Sequence, residues 1–155
     1  MSHITKKDII IGNQIWMAEN LNITDDMLGI DHWKNPDNGE VYYTWYAAMR
    51  LAKKVEGFHL PTDKEWDKAC EKCGGVQNEY GEYEKCSLKQ KLKIKLAGNY
   101  DGNFYYVGSE GYFWSVSDYS NDFAWYRYFS HGASMYGNYN IKTNGYSVRL
   151  IKDKS

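Results

Sequence analysis

From Gly98 to the C-terminus the chain is a succession of short β-rich runs cut by turn-forming residues. This feature constrains the fold more than any other. Phe104 to Val107, Gly111 to Val116, Ala124 to Phe129 and Tyr146 to Ile151 each concentrate aromatic and aliphatic residues. Clusters of Gly, Asn, Asp and Ser separate them, so the pattern predicts strands joined by tight connections. A chain that ends this way needs a second layer of structure to cover one face of its strands.

The first half supplies that layer. Ile9 to Ile11 and Ile15 to Met17 flank Gly12-Asn13, which predicts a hairpin. Asp25 to Gly39 holds Asp, Asn, Gly and Pro36 without periodicity and reads as a loop. Val41 to Tyr43 reads as a strand, and Thr44 to Lys54 as a helix with Trp45, Ala48, Met49 and Ala52 on one stripe. Thr62 and Glu65 form a capping box behind Pro61. After it Trp66, Ala69, Cys70 and Cys73 recur at helical spacing until Gly74-Gly75 stops the helix. Gln77 to Lys85 reads as an irregular insertion. Lys91 to Leu96 alternates lysine with Leu or Ile, which predicts a strand with a solvated basic edge. Two helices between an early hairpin and a late set of strands make the expected class α+β, in a single domain over residues 1–155.

Cysteine spacing adds a limit. Cys70, Cys73 and Cys86 are an odd set, which weakens the case for a disulfide framework. The CxxC pair lies near a helix C-terminus, where the dipole disfavours thiolate. Its spacing is that of core positions, and the expectation is packed thiols. No fourth ligand completes a zinc site.

Net charge is −1, so no field attracts nucleic acid, and no apolar run reaches membrane-spanning length. The opening MSHITKKDIII lacks a signal-peptide core. As written the chain is expected to be cytoplasmic or phage-associated, and cell-surface or secreted if a leader has been removed. Aromatic residues make up 17% of the chain and 15 of them are Tyr, set in polar sequence. Between Tyr112 and Arg149 they alternate with Asn, Ser and Gly, the composition of a binding surface.

Six ordered motifs carry a family resemblance: Trp16 to Asn22, Val41 to Ala48, Gly57 to Trp66, Ala97 to Tyr100, Gly111 to Ser115 and Gly145 to Arg149. Over nearly its whole length the chain resembles the Fibrobacter succinogenes major paralogous domain family, spread through Bacteroidetes and related bacteria. Through Gly57-Phe58-His59-Leu60-Pro61-Thr62-Asp63-Lys64-Glu65-Trp66 it is similar to the formylglycine-generating, sulfatase-modifying enzymes. Both resemblances imply a C-type-lectin-like fold. Its terminal strands would pair in one sheet, two helices would flank it, and a second small sheet with loops would form a ligand face. The resemblance extends to the variable proteins of diversity-generating retroelements, whose C-terminal segment is rewritten at adenines. Asp118 to Asn144 is rich in residues reachable from Asn codons. Trp125, Met135 and Lys142 are not reachable and would be fixed scaffold.

The enzymatic side of the resemblance does not carry over. The related oxidases use a reactive cysteine pair late in the chain, and this chain has no cysteine after Cys86. His3, His32, His59 and His131 are scattered, with no metal spacing, and His59 is expected to make a structural hydrogen bond. No nucleophile elbow and no phosphate-binding glycine loop is present. Cofactors are expected to be none. Ser117 to Asp122, Asp25-Asp26 and Asp31 offer oxygen ligands that a structural calcium ion would accept, although such clusters also form turns.

The expectation is therefore a non-enzymatic module that binds a protein or carbohydrate ligand on a cell or phage surface. A structural or adhesin module without a diversified site is the alternative. Trp114, Trp125 and Phe129 are expected as packing residues, Gly111, Gly132 and Gly145 in tight turns, and Arg149 in a structural ion pair. The candidates for the exposed face are Asp118, Tyr119, Asn121, Asp122, Tyr126, Arg127, Tyr128, Ser130, His131, Ser134, Tyr136, Asn138, Tyr139 and Asn140, with Tyr and Arg as anchors. A broad flat patch would favour a protein target and a closed pocket a glycan.

Overall fold

A computed structural model describes residues 8–24 and 31–153. His3 and the Asp25-Asp26 pair lie outside the described residues.

The N-terminal hairpin forms as its turn predicts. Strands β1 (Ile9–Ile11) and β2 (Gln14–Trp16) pair Ile9 with Trp16 across Gly12-Asn13. Gly12 takes φ +59°, a left-handed conformation that glycine adopts without steric cost. On its other edge β2 receives the last strand of the chain. That strand, Ile151–Asp153, pairs Ile151 with Trp16, so the first and last described strands share one three-stranded sheet.

The segment expected as a loop contains a strand. β3 (His32–Lys34) pairs with β4 (Val41–Tyr43) around a turn in which Asn35 and Asn38 side chains accept from backbone N–H groups. Those local bonds turn a polar, aperiodic run into a hairpin. Helix α1 (Trp45–Ala52) follows, capped by Thr44, whose hydroxyl accepts from Ala47 N. Its buried stripe is Ala47, Ala48, Leu51 and Ala52, one residue out of phase with the expected one. Trp45 and Met49 pack at its margin.

Helix α2 (Asp63–Lys72) has the capping box in full. Thr62 Oγ1 accepts from Glu65 N at 3.1 Å, and Glu65 Oε1 accepts from Thr62 N at 2.9 Å. Asp63 and Glu65 complement the positive end of the helix dipole. Its buried face is Trp66, Ala69 and Cys70.

After α2 come three corrections. Cys70 is disulfide-bonded to Cys86, with Cα atoms 5.6 Å apart. Two of the three thiols expected to be free are thus joined by a fold that brings them together from 16 residues apart. Cys73 caps the helix half-buried, and burial pushes its thiol pKa up. The expected irregular insertion is a hairpin, β5 (Val76–Gln77) and β6 (Tyr83–Glu84), whose loop is organised by the Asn78 side chain. The expected lysine-edged strand is absent. In its place stands the short helix α3 (Leu88–Lys91), and Lys93 adopts a left-handed φ of 52°. Leu88 and Leu92, four apart and fully buried, supply a helical period that overrides the coincidental alternation.

β7 (Asn99–Tyr100) and β8 (Phe104–Tyr105) form a small hairpin, which Tyr106 ends with φ 59°. β9 (Gly111–Asp118), β10 (Phe123–Phe129) and β11 (Ser134–Ile141) then form the body of a five-stranded sheet in the order β5-β6-β11-β10-β9. Residues 146–150, expected as one strand, instead make isolated bridges, Tyr146 to Tyr43 and Ser147 to Phe113. Regular pairing resumes only at β12, the terminal strand Ile151–Asp153. Few helices and several small sheets make this an α+β fold.

The five-stranded sheet separates two cores. On one side Phe113, Phe129 and Met135 pack with Trp66, Ala69 and Cys70 of α2 and with Trp16 and Ile151 of the terminal sheet. On the other, Trp114, Ala124 and Tyr126 pack with α1 and with Tyr146, Val148 and Leu150. Gly111 and Gly145 serve close packing here and not turns. A Cβ on Gly145 would lie 3.0 Å from the Trp33 and Tyr100 side chains, and one on Gly111 3.1 Å from Lys95 O.

Candidate functional site

Strand pairing decides where each candidate points, because alternate residues face opposite sides of the sheet. Tyr128 pairs with Tyr112 on one neighbour and Tyr136 on the other, while Tyr126 pairs with Asn138 and Ala124 with Asn140. These residues share the face away from α2, here called the outer face. Trp125, Arg127, Phe129, Met135, Gly137 and Tyr139 share the inner face.

The outer face is a run of tyrosine rings. Tyr112 stacks on Tyr146 at 5.1 Å and 15°, and lies 5.6 Å from Tyr128. Tyr128 lies 5.0 Å from Tyr136, and Tyr106 extends the run 6.4 Å beyond Tyr112. Under α1 and residues 146–150 Tyr126 is 9% exposed, and Tyr112 and Tyr128 pack at the margin of that core. Tyr112, Tyr128 and Tyr136 are half-buried and Asn138 is exposed. Asn140 Nδ2 donates to Tyr146 Oη at 2.8 Å, and Tyr112 Oη donates to Glu110 Oε1. Burial is the main cause raising the phenol pKa of Tyr112, Tyr126 and Tyr128, and the Glu110 carboxylate adds to it in all three. The face therefore presents neutral rings with hydroxyl, amide and carboxylate groups at their edges.

Two anchors do not belong to it as expected. Tyr126 is a core residue. Arg127 faces inward and is 9% exposed: its Nη1 lies 2.5 Å from Asp67 Oδ1, and its Nη2 lies 3.6 Å from Asp63 Oδ1. At the second distance the attraction is between charges without a hydrogen bond. Burial raises the Asp63 pKa, partly offset by Arg127. Gly137 leaves room for the arginine stem, since a Cβ there would sit 2.9 Å from Arg127 Nε. Arg127 thus clamps α2 to the sheet.

The remaining candidates occupy the ends of the strands. At the β9–β10 tip Tyr119 stacks on Tyr139 at 3.7 Å and 4°, and Trp125 and Phe123 meet the Tyr139 ring edge-on. Trp125, expected as a packing residue, packs in this cluster half-buried. Asp118 pairs with the buried Lys142 at 2.8 Å, and Lys142 lies 4.2 Å over the Trp45 ring. Asn121 and Asp122 are exposed in the connecting turn. At the opposite end of β10, His131 is exposed, and the Ser130 and Gly132 carbonyls accept from Lys89 Nζ. Ser134 pairs with Glu84 at the β6 edge. The candidates are therefore divided among the outer face, the tip and the β10–β11 turn.

Sequence reasoning missed Tyr106, Glu110 and Tyr112 as parts of the outer face. Tyr112-x-Trp114 has the same two-residue spacing as Tyr126-x-Tyr128, and that shared parity was the available signal.

Three cavities lie elsewhere. One of about 550 Å³ separates the β1–β2 turn from α2, one of about 210 Å³ surrounds Glu40 and Arg149, and one of about 200 Å³ lies beside Phe58 and His59. None is lined by a candidate residue. Arg149 is buried, and among the described residues its guanidinium bonds to an amide and carbonyls in place of the expected ion pair. Asn20 Oδ1 and the Met17 and Leu92 carbonyls accept from its guanidinium, and burial lowers its pKa to about 10. His59 Nε2 lies 3.0 Å from both Glu65 oxygens. Among the described residues no group of three or more His, Cys, Asp or Glu gathers as a metal site requires. No described helix is long and apolar enough to cross a membrane.

The family described as "Domain of unknown function (DUF8237)" matches residues 80–151, just under half of the chain, from the β5–β6 loop to the start of the terminal strand. No curated protein and no solved structure matches the chain.

Proposed function

We propose that this chain is a non-enzymatic binding module of C-type-lectin-like fold, with the outer face of its five-stranded sheet as the recognition surface. The fold assignment is supported by the pairing of β12 with β2, the two capped helices and the second sheet. One observation carries the functional reading: a contiguous row of half-buried tyrosines, Tyr112, Tyr128 and Tyr136, bordered by Asn138 and Asn140, is held on rigid paired strands. Tyrosine supplies contact area at low entropic cost and asparagine supplies adaptable hydrogen bonds. The surface is an open sheet face, and none of the three cavities described above is lined by it, which favours a protein target over a glycan.

The membership proposed for the chain is the Fibrobacter succinogenes paralogous family, and diversification by a retroelement is part of the proposal. Tyr128, Tyr136, Asn138 and Asn140 are residues an Asn codon can yield. Met135, which it cannot yield, is fully buried. Sequencing this locus in many isolates tests the point. Substitutions confined to outer-face and tip positions at adenine-derived codons support it, and an invariant segment rejects it. Binding itself is tested by presenting the wild-type chain and a Tyr128→Ser/Tyr136→Ser variant to cell-surface protein and glycan arrays. A ligand that both forms hold equally would remove the outer face as the site.

A structural or adhesin role is favoured by a different observation. At the hairpin tip Tyr119 is 50% exposed, Ile141 43%, Tyr139 39% and Phe123 36%. Clustered exposed apolar groups of this kind mark contact surfaces. Loss of assembly on Tyr119→Ser/Tyr139→Ser, with array binding intact, would identify the tip as the working surface.

A further inference from the structure

We propose that the outer face receives an arginine side chain of a protein partner, its guanidinium laid on the Tyr128 and Tyr136 rings and paired with a bordering glutamate. The inference rests on the reading of this face as the recognition surface, and adds the charge and shape of what it holds.

Charge is the first argument. No lysine or arginine occupies an outer position on β6, β9, β10 or β11. Three glutamates border the rings. Glu110 accepts from Tyr112, Glu84 stands opposite Ser134, and the field of Glu82 reaches Tyr128. After burial, carboxylates and neighbouring tyrosines raise the Tyr112, Tyr126 and Tyr128 phenols. Several cations around the sheet have other partners: Lys142 has Asp118 and Trp45, Lys89 the Ser130 and Gly132 carbonyls, Arg127 Asp67 across the sheet, and Lys95 Glu40. An aromatic surface with an unbalanced negative border attracts a cation through ring quadrupole and carboxylate together.

Shape selects arginine among cations. The Tyr128 and Tyr136 rings, 5.0 Å apart and inclined by 33°, form a shallow aromatic floor. A planar guanidinium can stack on such a floor while its edge meets a carboxylate with two parallel N–H donors; a lysine ammonium can do one or the other. The half-exposed rings on a sheet face would leave a free small cation hydrated, which argues for a side chain carried by a partner. An arginine presented by a protein brings the surrounding contact area with it.

The test is an NMR titration of the full chain with capped hexapeptides that differ at one position, carrying arginine, citrulline, lysine or glutamate. Shifts confined to the Tyr112, Tyr128 and Tyr136 rings are expected with the arginine peptide. Citrulline has nearly the same shape without the charge and should bind roughly tenfold more weakly. Glu110→Gln should weaken the arginine peptide several-fold, and more than it weakens the citrulline peptide. The peptide comparison uses the wild-type chain, so it does not depend on any variant folding. Equal binding of arginine and citrulline peptides at these rings overturns the charge assignment and leaves the surface itself standing. Arginine-peptide shifts that fall elsewhere overturn both. No arginine-specific shift up to about 10 mM overturns the proposal.

Discussion

The two faces of the five-stranded sheet are built from the same strands and are closed to different degrees. The inner face closes on α2 with Phe113, Phe129 and Met135 fully buried, and the Trp66 ring is 5.7 Å from Phe113 and 6.1 Å from Phe129. Beyond the buried Trp114, Ala124 and Tyr126, the outer face carries Tyr112, Tyr128 and Tyr136 with half-covered rings, and the Tyr112 hydroxyl donates to Glu110. Phenylalanine and methionine suit a dry interface because they leave no polar atom to satisfy. Tyrosine suits a face that is dry in isolation on one side of the ring and available on the other. The difference is confined to one end of the sheet: near α1 the outer face is core as well, with Trp114 and Ala124 fully buried, and only toward Tyr128 and Tyr136 do alternate residues separate a closed face from a half-open one.

The sharpest way to break that division is a pair of truncations. Trp66→Ala should cost about 3–5 kcal/mol, because it empties the centre of the inner core. Tyr136→Ala should cost about 1 kcal/mol or less, since its ring is half exposed and its loss leaves no closed cavity. Urea denaturation of both variants measures the contrast. Comparable losses would mean that the outer tyrosines are structural, and the display assignment would fall.

The disulfide sharpens the comparison from the covalent side. Cys70 lies on the buried face of α2 and Cys86 follows β6, so the bond ties the helix to the inner face alone. Closing a loop of this length stabilises by about 3 kcal/mol. Reductant should lower the denaturation midpoint accordingly, and Cys86→Ala should abolish the effect. An unchanged midpoint in reductant would remove the bond from the account.

At a single position the contrast narrows to two neighbours on β11. Gly137→Ala places a methyl 2.9 Å from Arg127 Nε and should cost about 1–3 kcal/mol by displacing the clamp on Asp63 and Asp67. Asn138→Ala, facing outward and exposed, should stay within about 0.5 kcal/mol. Thermal unfolding of the two variants is sufficient. Equal effects would show that the inner and outer positions of this strand are not distinct.

Much of the first layer was legible because its signals are local. The Gly12-Asn13 turn, the Thr62/Glu65 capping box and the Trp66 stripe are each determined within a few residues. β11 was not legible. Ser134 to Ile141 is rich in Asn, Gly and Ser, residues with little intrinsic preference for strands, and only pairing with β10 and β6 makes it one. With β11 unseen, Tyr126 and Arg127 could not be assigned to opposite faces, so both were expected at the surface. The α3 turn and the Cys70–Cys86 bond depend on contacts made across the fold. The candidate site was legible as a composition and became a face only through parity.

The smallest expected effect concerns the N-terminal end of α2, where the inner layer begins. The hydrogen bond to Glu65 raises the His59 pKa above its ordinary 6.5, against burial, which lowers it. Burial acts to raise Glu65, but bonds from His59 and Thr62 hold it below its ordinary 4.5. A folded-state pKa above the unfolded one means that the His59 contribution is complete below 6.5 and is lost as pH rises through the raised value. The Glu65 contribution is complete above 4.5 and is lost as pH falls through the depressed value. The pair is therefore strongest between the two. The His59 side chain is 45% exposed, so solvent limits the contribution to less than about 1 kcal/mol. The stability difference between wild type and His59→Gln should be larger near about pH 5.5 than near about pH 8.5. A difference that does not change between those pH values would make the contact a neutral hydrogen bond, and the helix would then be held at this end by its capping box alone.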